Sequence, residues 1–169
     1  ELDLRRGVLT RRSRLRQPGG RTLAVTQRRF VSLRDPHLAA LECTLAAEGW
    51  SGRLLVTSAL DGRVTNDGVA RYRSLPSDHL LPVEECFADD QTMCLEVETN
   101  DSHIRIAESA RTRVLVEGEP VVVNRRSESA PRFVAHHLDL DLVDGAPITI
   151  EKVVAVFTSR DDGIYEPHH

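Results

Sequence analysis

The sequence predicts an all-β fold, and three observations carry that expectation. The first is strict alternation. In TMCLEVET, 92–99, Met93, Leu95 and Val97 fall on one face and Cys94, Glu96 and Glu98 on the other, the period of a half-buried strand. In FVAHHLDLDLV, 133–143, Val134, His136, Leu138, Leu140 and Leu142 alternate with Ala135, His137, Asp139 and Asp141. The second is turn chemistry between short runs: QPGGR at 17–21, DGR at 61–63, NDG at 66–68, EGEP at 117–120 and DGAP at 144–147. Gly, Asn and Asp at these points supply the positive φ angles of tight hairpins, and turns recurring between strands mark a sandwich or barrel. The third is a segment that reads both ways and must be weighed.

That segment is RDPHLAALECTLAAEGWSG, 34–52. Asp35 as cap, Pro36 at the first turn and Gly49 at the end suit a helix. Yet Ala39, Leu41, Cys43, Leu45 and Ala47 alternate with Glu42, Thr44, Ala46 and Glu48. Strands are expected on both sides, in RTLAVTQRRFVSL (21–33) and RLLVTSAL (53–60). A lone helix between them would have to leave the sheet and return, so the pattern favours a strand over local propensity.

The remaining runs follow in order. SHIRIAES (102–109), RTRVLVEG (111–118) and PVVVNRR (120–126) have strand length, and ITIEKVVAVFTS (148–159) ends apolar on both faces, as a central strand does. The stretch from Val69 to Ala88 has two prolines and little periodicity, and reads as a long connection. Such connections are often functional or touch another domain.

The bulk numbers fit one domain: 169 residues, 40 % hydrophobic and 28 % charged. No apolar run is long enough for a transmembrane helix and no signal-peptide pattern opens the chain. A net charge of −4 argues against a nucleic-acid binder. Lys152 is the only lysine among 22 basic residues, a bias that genome composition explains as readily as function. Cys43, Cys86 and Cys94 have neither metal-ligand spacing nor an even count, and point to a reducing, cytoplasmic setting. Glu1 rather than Met at the start reads as a piece of a longer chain.

Chemistry-bearing residues are sparse. His136 and His137 are adjacent on a strand, so their rings face opposite ways and cannot share one metal. His136 shares its face with leucines and reads as a hydrogen-bonded core histidine. His137 with Asp139 and Asp141 could form a histidine–carboxylate or metal site, but alternating Asp is more often the solvated side of a sheet. Trp50 could stack on a sugar, although a single Trp between glycine-flanked elements is more often cover for a core. Ser58, Asp61 and Asn66 cluster around a tight turn and could hold sugar hydroxyls.

Four segments, in order and spacing, resemble the amino-terminal domain of glycoside hydrolase family 65: LDLRRGVLTRR (2–12), RRFVSLRDPHLAALECTLAAEGWSG (28–52), TSALDGRVTN (57–66) and KVVAVFTSRD (152–161). The likeness runs from Leu2 to about Pro167. It implies an antiparallel two-layer super-sandwich of the galactose mutarotase kind, in which 38–48 is a strand. It also implies that residues 1–169 form a single domain that is part of a larger sandwich, with further strands upstream. The family's maltose, trehalose and kojibiose phosphorylases and related hydrolases invert an α-glucosidic bond in a separate helical barrel. There a carboxylic acid protonates the leaving oxygen while phosphate, or water activated by a second carboxylate, attacks the opposite face.

The resemblance therefore implies no catalytic residue, metal or resident cofactor in this chain, with inorganic phosphate a co-substrate of the parent enzyme. Its expected partners are the catalytic barrel of the same chain, a second copy in a homodimer and an α-linked disaccharide. Asp61, Asn66 and Arg71 are the candidate residues at the rim of the sugar pocket. Two other readings stay open: a free-standing carbohydrate-binding module using Trp50 or the Asp61–Asn66 turn, and an aldose epimerase-like enzyme pairing His103, His136 or His137 with Glu84 or Glu96.

Overall fold

The computed structural model describes residues 1–65 and 77–161. Among them are twelve strands and no α-helix. In chain order these are β1 (Leu2–Asp3), β2 (Val8–Arg16), β3 (Thr22–Val31), β4 (Leu38–Glu48), β5 (Gly52–Asp61) and β6 (Leu80–Phe87). They continue with β7 (Thr92–Thr99), β8 (Arg105–Val116), β9 (Glu119–Val121), β10 (Asn124–Ala130), β11 (Phe133–Leu142) and β12 (Ile148–Thr158).

Every pairing is antiparallel. A nine-stranded sheet runs β1-β2-β3-β4-β12-β8-β7-β6, with β9 paired to β8, and a three-stranded sheet runs β10-β11-β5. The two sheets face each other as the layers of a sandwich.

The segment 34–52 resolves as the alternation predicts. Residues 38–48 form β4, hydrogen-bonded to β3 on one side and β12 on the other. Leu45 and Ala47 are buried, with Cys43 packed beside them, while Glu42 and Glu48 face away. Two full ladders and a buried row outweigh the few tenths of a kcal/mol per residue that helix propensity offers. Gly49, at φ +74°, ends the strand, and its N–H donates to the Asp144 carboxylate at 2.7 Å.

The core lies where the alternating faces meet. Leu138, Leu140 and Leu142 of β11 oppose Leu23 and Val25 of β3, Leu45 and Ala47 of β4, Val114 of β8 and Ile150 of β12. A second cluster joins Met93, Leu95 and Val97 of β7 to Ala110, Leu60 and Val134. Each fully buried leucine contributes about 1.5–3 kcal/mol. β12 is central, between β4 and β8, as its two apolar faces predict.

The structure differs from the pattern reading at three places. β2 was not expected as a strand; it lies near one end of the large sheet, and its exposed arginines blur the apolar signal. Leu80–Phe87, the latter part of the expected 69–88 connection, is the edge strand β6, with Pro82 beside a register shift. Proline is tolerated at an edge because the missing N–H breaks no ladder. The runs 102–109 and 111–118 join in one long strand, β8, while 120–126 divides between β9 and β10.

The small sheet covers only part of the large one. Beyond it, Leu9, Arg29, Val31, Leu33, Ala39 and Val154 line an apolar hollow of about 490 Å³. Leu33 is 99 % and Val31 66 % exposed there.

Candidate functional site

The candidate rim forms where β5 ends against the β10–β11 hairpin. Ala130 pairs with Phe133 across Pro131 and Arg132, and Arg132 takes φ +62°, the geometry of a turn with proline first and a left-handed residue second. The Gly62 N–H donates to the Arg132 carbonyl at 2.8 Å. Glycine is required sterically: a Cβ on Gly62 would lie 2.9 Å from Val97 Cγ1 and 3.4 Å from the Arg132 carbonyl oxygen.

Arg132 ties this turn to β6. Its backbone N–H donates to Glu85 Oε1 at 2.6 Å, and its guanidinium donates to the Leu80 carbonyl at 2.8 Å and to the Asp78 carboxylate. Asp61, opposite Phe133 in the register, receives both the Nε and Nη2 donors of Arg63 at 2.8 Å and the Arg63 backbone N–H at 3.0 Å. The Arg63 guanidinium lies 4.0 Å from the centroid of the Phe133 ring, a cation–π distance.

These contacts set the charge states. The Arg63 hydrogen bonds hold the Asp61 carboxyl below its usual range, and Arg132 does the same for Asp78. A general acid needs its pKa raised toward the working pH. Asp61 and Asp78 are therefore fixed anions, suited to orienting a loop or accepting hydroxyl donors rather than supplying a proton.

The other sequence candidates disperse. Asn66 and Arg71 lie outside the described residues. Ser58 is buried and hydrogen-bonded to Thr112, away from the turn chemistry expected of it. Trp50 donates its indole N–H to the Thr22 carbonyl at 2.7 Å and packs against the main core, so it is cover. His136 is fully buried, as its leucine-lined face predicts, and its Nδ1 accepts from Arg125 at 3.1 Å.

His137 binds Thr57 and Glu128 rather than the aspartates. Its Nε2 donates to Glu128 at 2.6 Å and Nδ1 lies 3.0 Å from the Thr57 hydroxyl. Asp139 accepts from Asn124 and Asp141 pairs with Arg53. Among the described residues no group of three His, Cys, Asp or Glu side chains could hold a metal ion. His103 pairs with Glu98, Glu96 with Arg105, His136 with Arg125 and His137 with Glu128, so among the described residues these histidines are engaged away from Glu84 and Glu96.

Sequence reasoning missed Arg132, Asp78, Arg63 and Glu85. Arg63 was within reach, since an Asp-Gly-Arg turn places the guanidinium back over its own carboxylate. The rest join the cluster through long-range pairing.

The fold and this cluster define a β-sandwich domain with an ion-paired loop end. The sequence model described as "Glycosyl hydrolase family 65, N-terminal domain" matches residues 1–169. The chain belongs to glycosyl hydrolase family 65, within that N-terminal domain. It is 41 % identical over 160 residues to an uncharacterized glycosyl hydrolase of Mycobacterium tuberculosis, a match covering 94 % of this chain and 12 % of that protein. A kojibiose phosphorylase of Halothermothrix orenii is 25 % identical over 160 residues, covering 95 % of this chain and 20 % of its own. The solved structure of a putative kojibiose phosphorylase from human microbiome superposes with a TM-score of 0.78 at 16 % identity, over 94 % of this chain and 19 % of that one. The chain thus spans between about an eighth and a fifth of these relatives, and the sandwich agrees with the fold of that structure.

Proposed function

We propose that this domain is the non-catalytic part of a family 65 protein that cleaves an α-linked disaccharide by inverting phosphorolysis or hydrolysis. The observation that carries the reading is the family match over 1–169, in a chain spanning a small fraction of its relatives. Proton donor and phosphate site then belong to a helical barrel elsewhere in the parent protein, with inorganic phosphate as co-substrate and no resident cofactor in this domain. The ionised Asp61 and Asp78 support that division of labour. Residues 1–169 act as one unit within a larger sandwich. The kojibiose phosphorylase of Halothermothrix orenii favours phosphorolysis of a kojibiose-type disaccharide. Maltose- and trehalose-type substrates and a cytoplasmic setting belong to the same proposal, on the family resemblance and the cysteine count.

The domain has two surfaces suited to docking. The apolar hollow of Val31, Leu33 and Val154 lies on one face of the large sheet, and Val153 and Phe157 are exposed on the other. Exposed apolar area of this kind is typical of surfaces that meet another domain or copy. One docks the barrel and the other serves a homodimer. The Asp61 turn is assigned to the rim of the sugar pocket, with Asn66 and Arg71 as the further candidates that follow it in sequence.

The test uses the full-length parent carrying Asp61→Ala, Asn66→Ala or Arg71→Ala. The reading expects KM for the disaccharide to rise about tenfold, with the barrel's chemical step retained. Unchanged affinity for disaccharide and phosphate together with unchanged assembly overturns it. The carbohydrate-binding-module reading keeps only the Asp61–Asn66 turn, because the indole of Trp50 is engaged by Thr22.

A further inference from the structure

Cys86 and Cys94 stand directly opposite one another on β6 and β7. Sequence spacing hides the pair, since eight positions separate the two and Cys43 leaves the count odd. The hairpin closes with the Ala88 N–H donating to the Thr92 carbonyl at 3.0 Å. Stepping back two residues on each strand keeps the same kind of pair, so Cys86 and Cys94 occupy a hydrogen-bonded position. Such positions hold their Cα atoms about 5.5 Å apart, inside the range of about 4.4–6.8 Å that a disulfide spans, while their Cβ atoms, at about 5.5 Å, must draw in toward about 4 Å for the bond to close.

We infer that Cys86 and Cys94 form an oxidisable dithiol, a modification site at which hydrogen peroxide closes an intrachain disulfide across the edge of the large sheet. Both thiols are free and partly exposed, and they line a cleft of about 240 Å³ with Ser109, Phe157, Glu84 and Glu96. The Cys94 thiol is oriented by Ser109 Oγ at 3.9 Å. Among the described residues β6 is an edge strand with one ladder, to β7, so it can adjust to the bond. Cys43 sits on β4, with β12, β8 and β7 between it and β6, and cannot join the pair in the folded sheet.

The surroundings select the oxidant. Burial, then the neighbouring Cys94 and the charge of Glu84, raise the Cys86 thiol to about 11, which keeps its thiolate fraction small at neutral pH and slows its own attack on the oxidant. Carboxylates at the cleft disfavour an anionic reagent such as oxidised glutathione and leave a small neutral peroxide unhindered. One sulfur, as thiolate, attacks the peroxide O–O bond. The sulfur gains oxygen as a sulfenic acid, and the expelled hydroxide takes a proton to become water. The second sulfur attacks the first, an S–S bond replaces the S–O bond, and a second water leaves. Two thiols and one peroxide give one disulfide and two waters. Because thiolate is the reactive form, the rate rises with pH.

The experiment treats the folded full-length parent with hydrogen peroxide and maps its peptides by mass spectrometry without reduction. The expected result is a Cys86–Cys94 cross-link lighter by two hydrogens, reversed by dithiothreitol, retained in Cys43→Ser and absent from Cys86→Ser and Cys94→Ser. The unsubstituted protein decides the matter even where a variant misfolds. Two reduced thiols after treatment, or separate irreversible oxidation of each sulfur, overturns the inference.

Discussion

The Lys152 ammonium on β12 of the large sheet donates to the Ala59 carbonyl on β5 of the small sheet at 2.6 Å. Among the described residues β5 is an edge of its sheet, and the chain's one lysine joins the two layers there. Burial lowers the Lys152 pKa, opposed by Glu108, and burial raises that of Glu108, opposed by Lys152.

Lys152→Met keeps the aliphatic stem and removes the bond. It should destabilise the domain by about 1–2 kcal/mol at neutral pH, read by urea unfolding. The pH signature is specific. Between the depressed native value and the ordinary one near 10.4, the unfolded chain holds a proton that the native lysine has lost, so wild-type stability rises with pH there. The variant should lack this rise; an identical alkaline limb would exclude the role.

His136 gives a second pH limb. Burial, then the Arg125 charge, lowers its pKa, and Arg125 donates to Nδ1, so the proton sits on Nε2. Among the described residues Nε2 has no hydrogen-bond partner. The unfolded histidine takes up a proton near its ordinary value of about 6.5 while the native one resists. Stability should therefore fall as pH drops from 6.5 toward the native value. His136→Gln should flatten that limb in a series of denaturant curves.

Gly62→Ala should cost about 1–3 kcal/mol, because the new methyl meets Val97 Cγ1 at 2.9 Å in a closed core. Val97→Ala costs stability alone through its cavity, yet it should recover part of the Gly62→Ala loss in the double variant. Strict additivity in thermal unfolding would refute the proposed clash.

Arg63→Gln should release the Asp61 carboxyl upward toward its ordinary range near 3.9, observed by carboxyl-carbon NMR titration. The stability contributed by that low native value is present above about 3.9 and is lost as pH falls from there through the native value. Screening by solvent keeps the effect on folding small. An Asp61 titration indifferent to the substitution would show that the pair is not formed in solution.

Much of the fold was legible because strand alternation is local. The buried rows of β7 and β11 are legible from spacing alone, and segment 34–52 shows alternation prevailing over propensity once both flanks are strands. β2 and β6 were illegible for one reason: at or near a sheet edge, charges and proline replace the apolar signal and also discourage edge-to-edge pairing. At the candidate site only Asp61 was both read in advance and placed among the described residues.

What the sequence by itself determined is which face each residue takes and where the chain turns, because both follow from backbone geometry over a few positions. The tertiary structure alone decided which strands become neighbours. It set β12 between β4 and β8, brought Arg132 to Asp78 and Glu85, and aligned Cys86 with Cys94. Such partners are chosen by how two whole sheets bury their apolar rows together, and no local pattern encodes that choice.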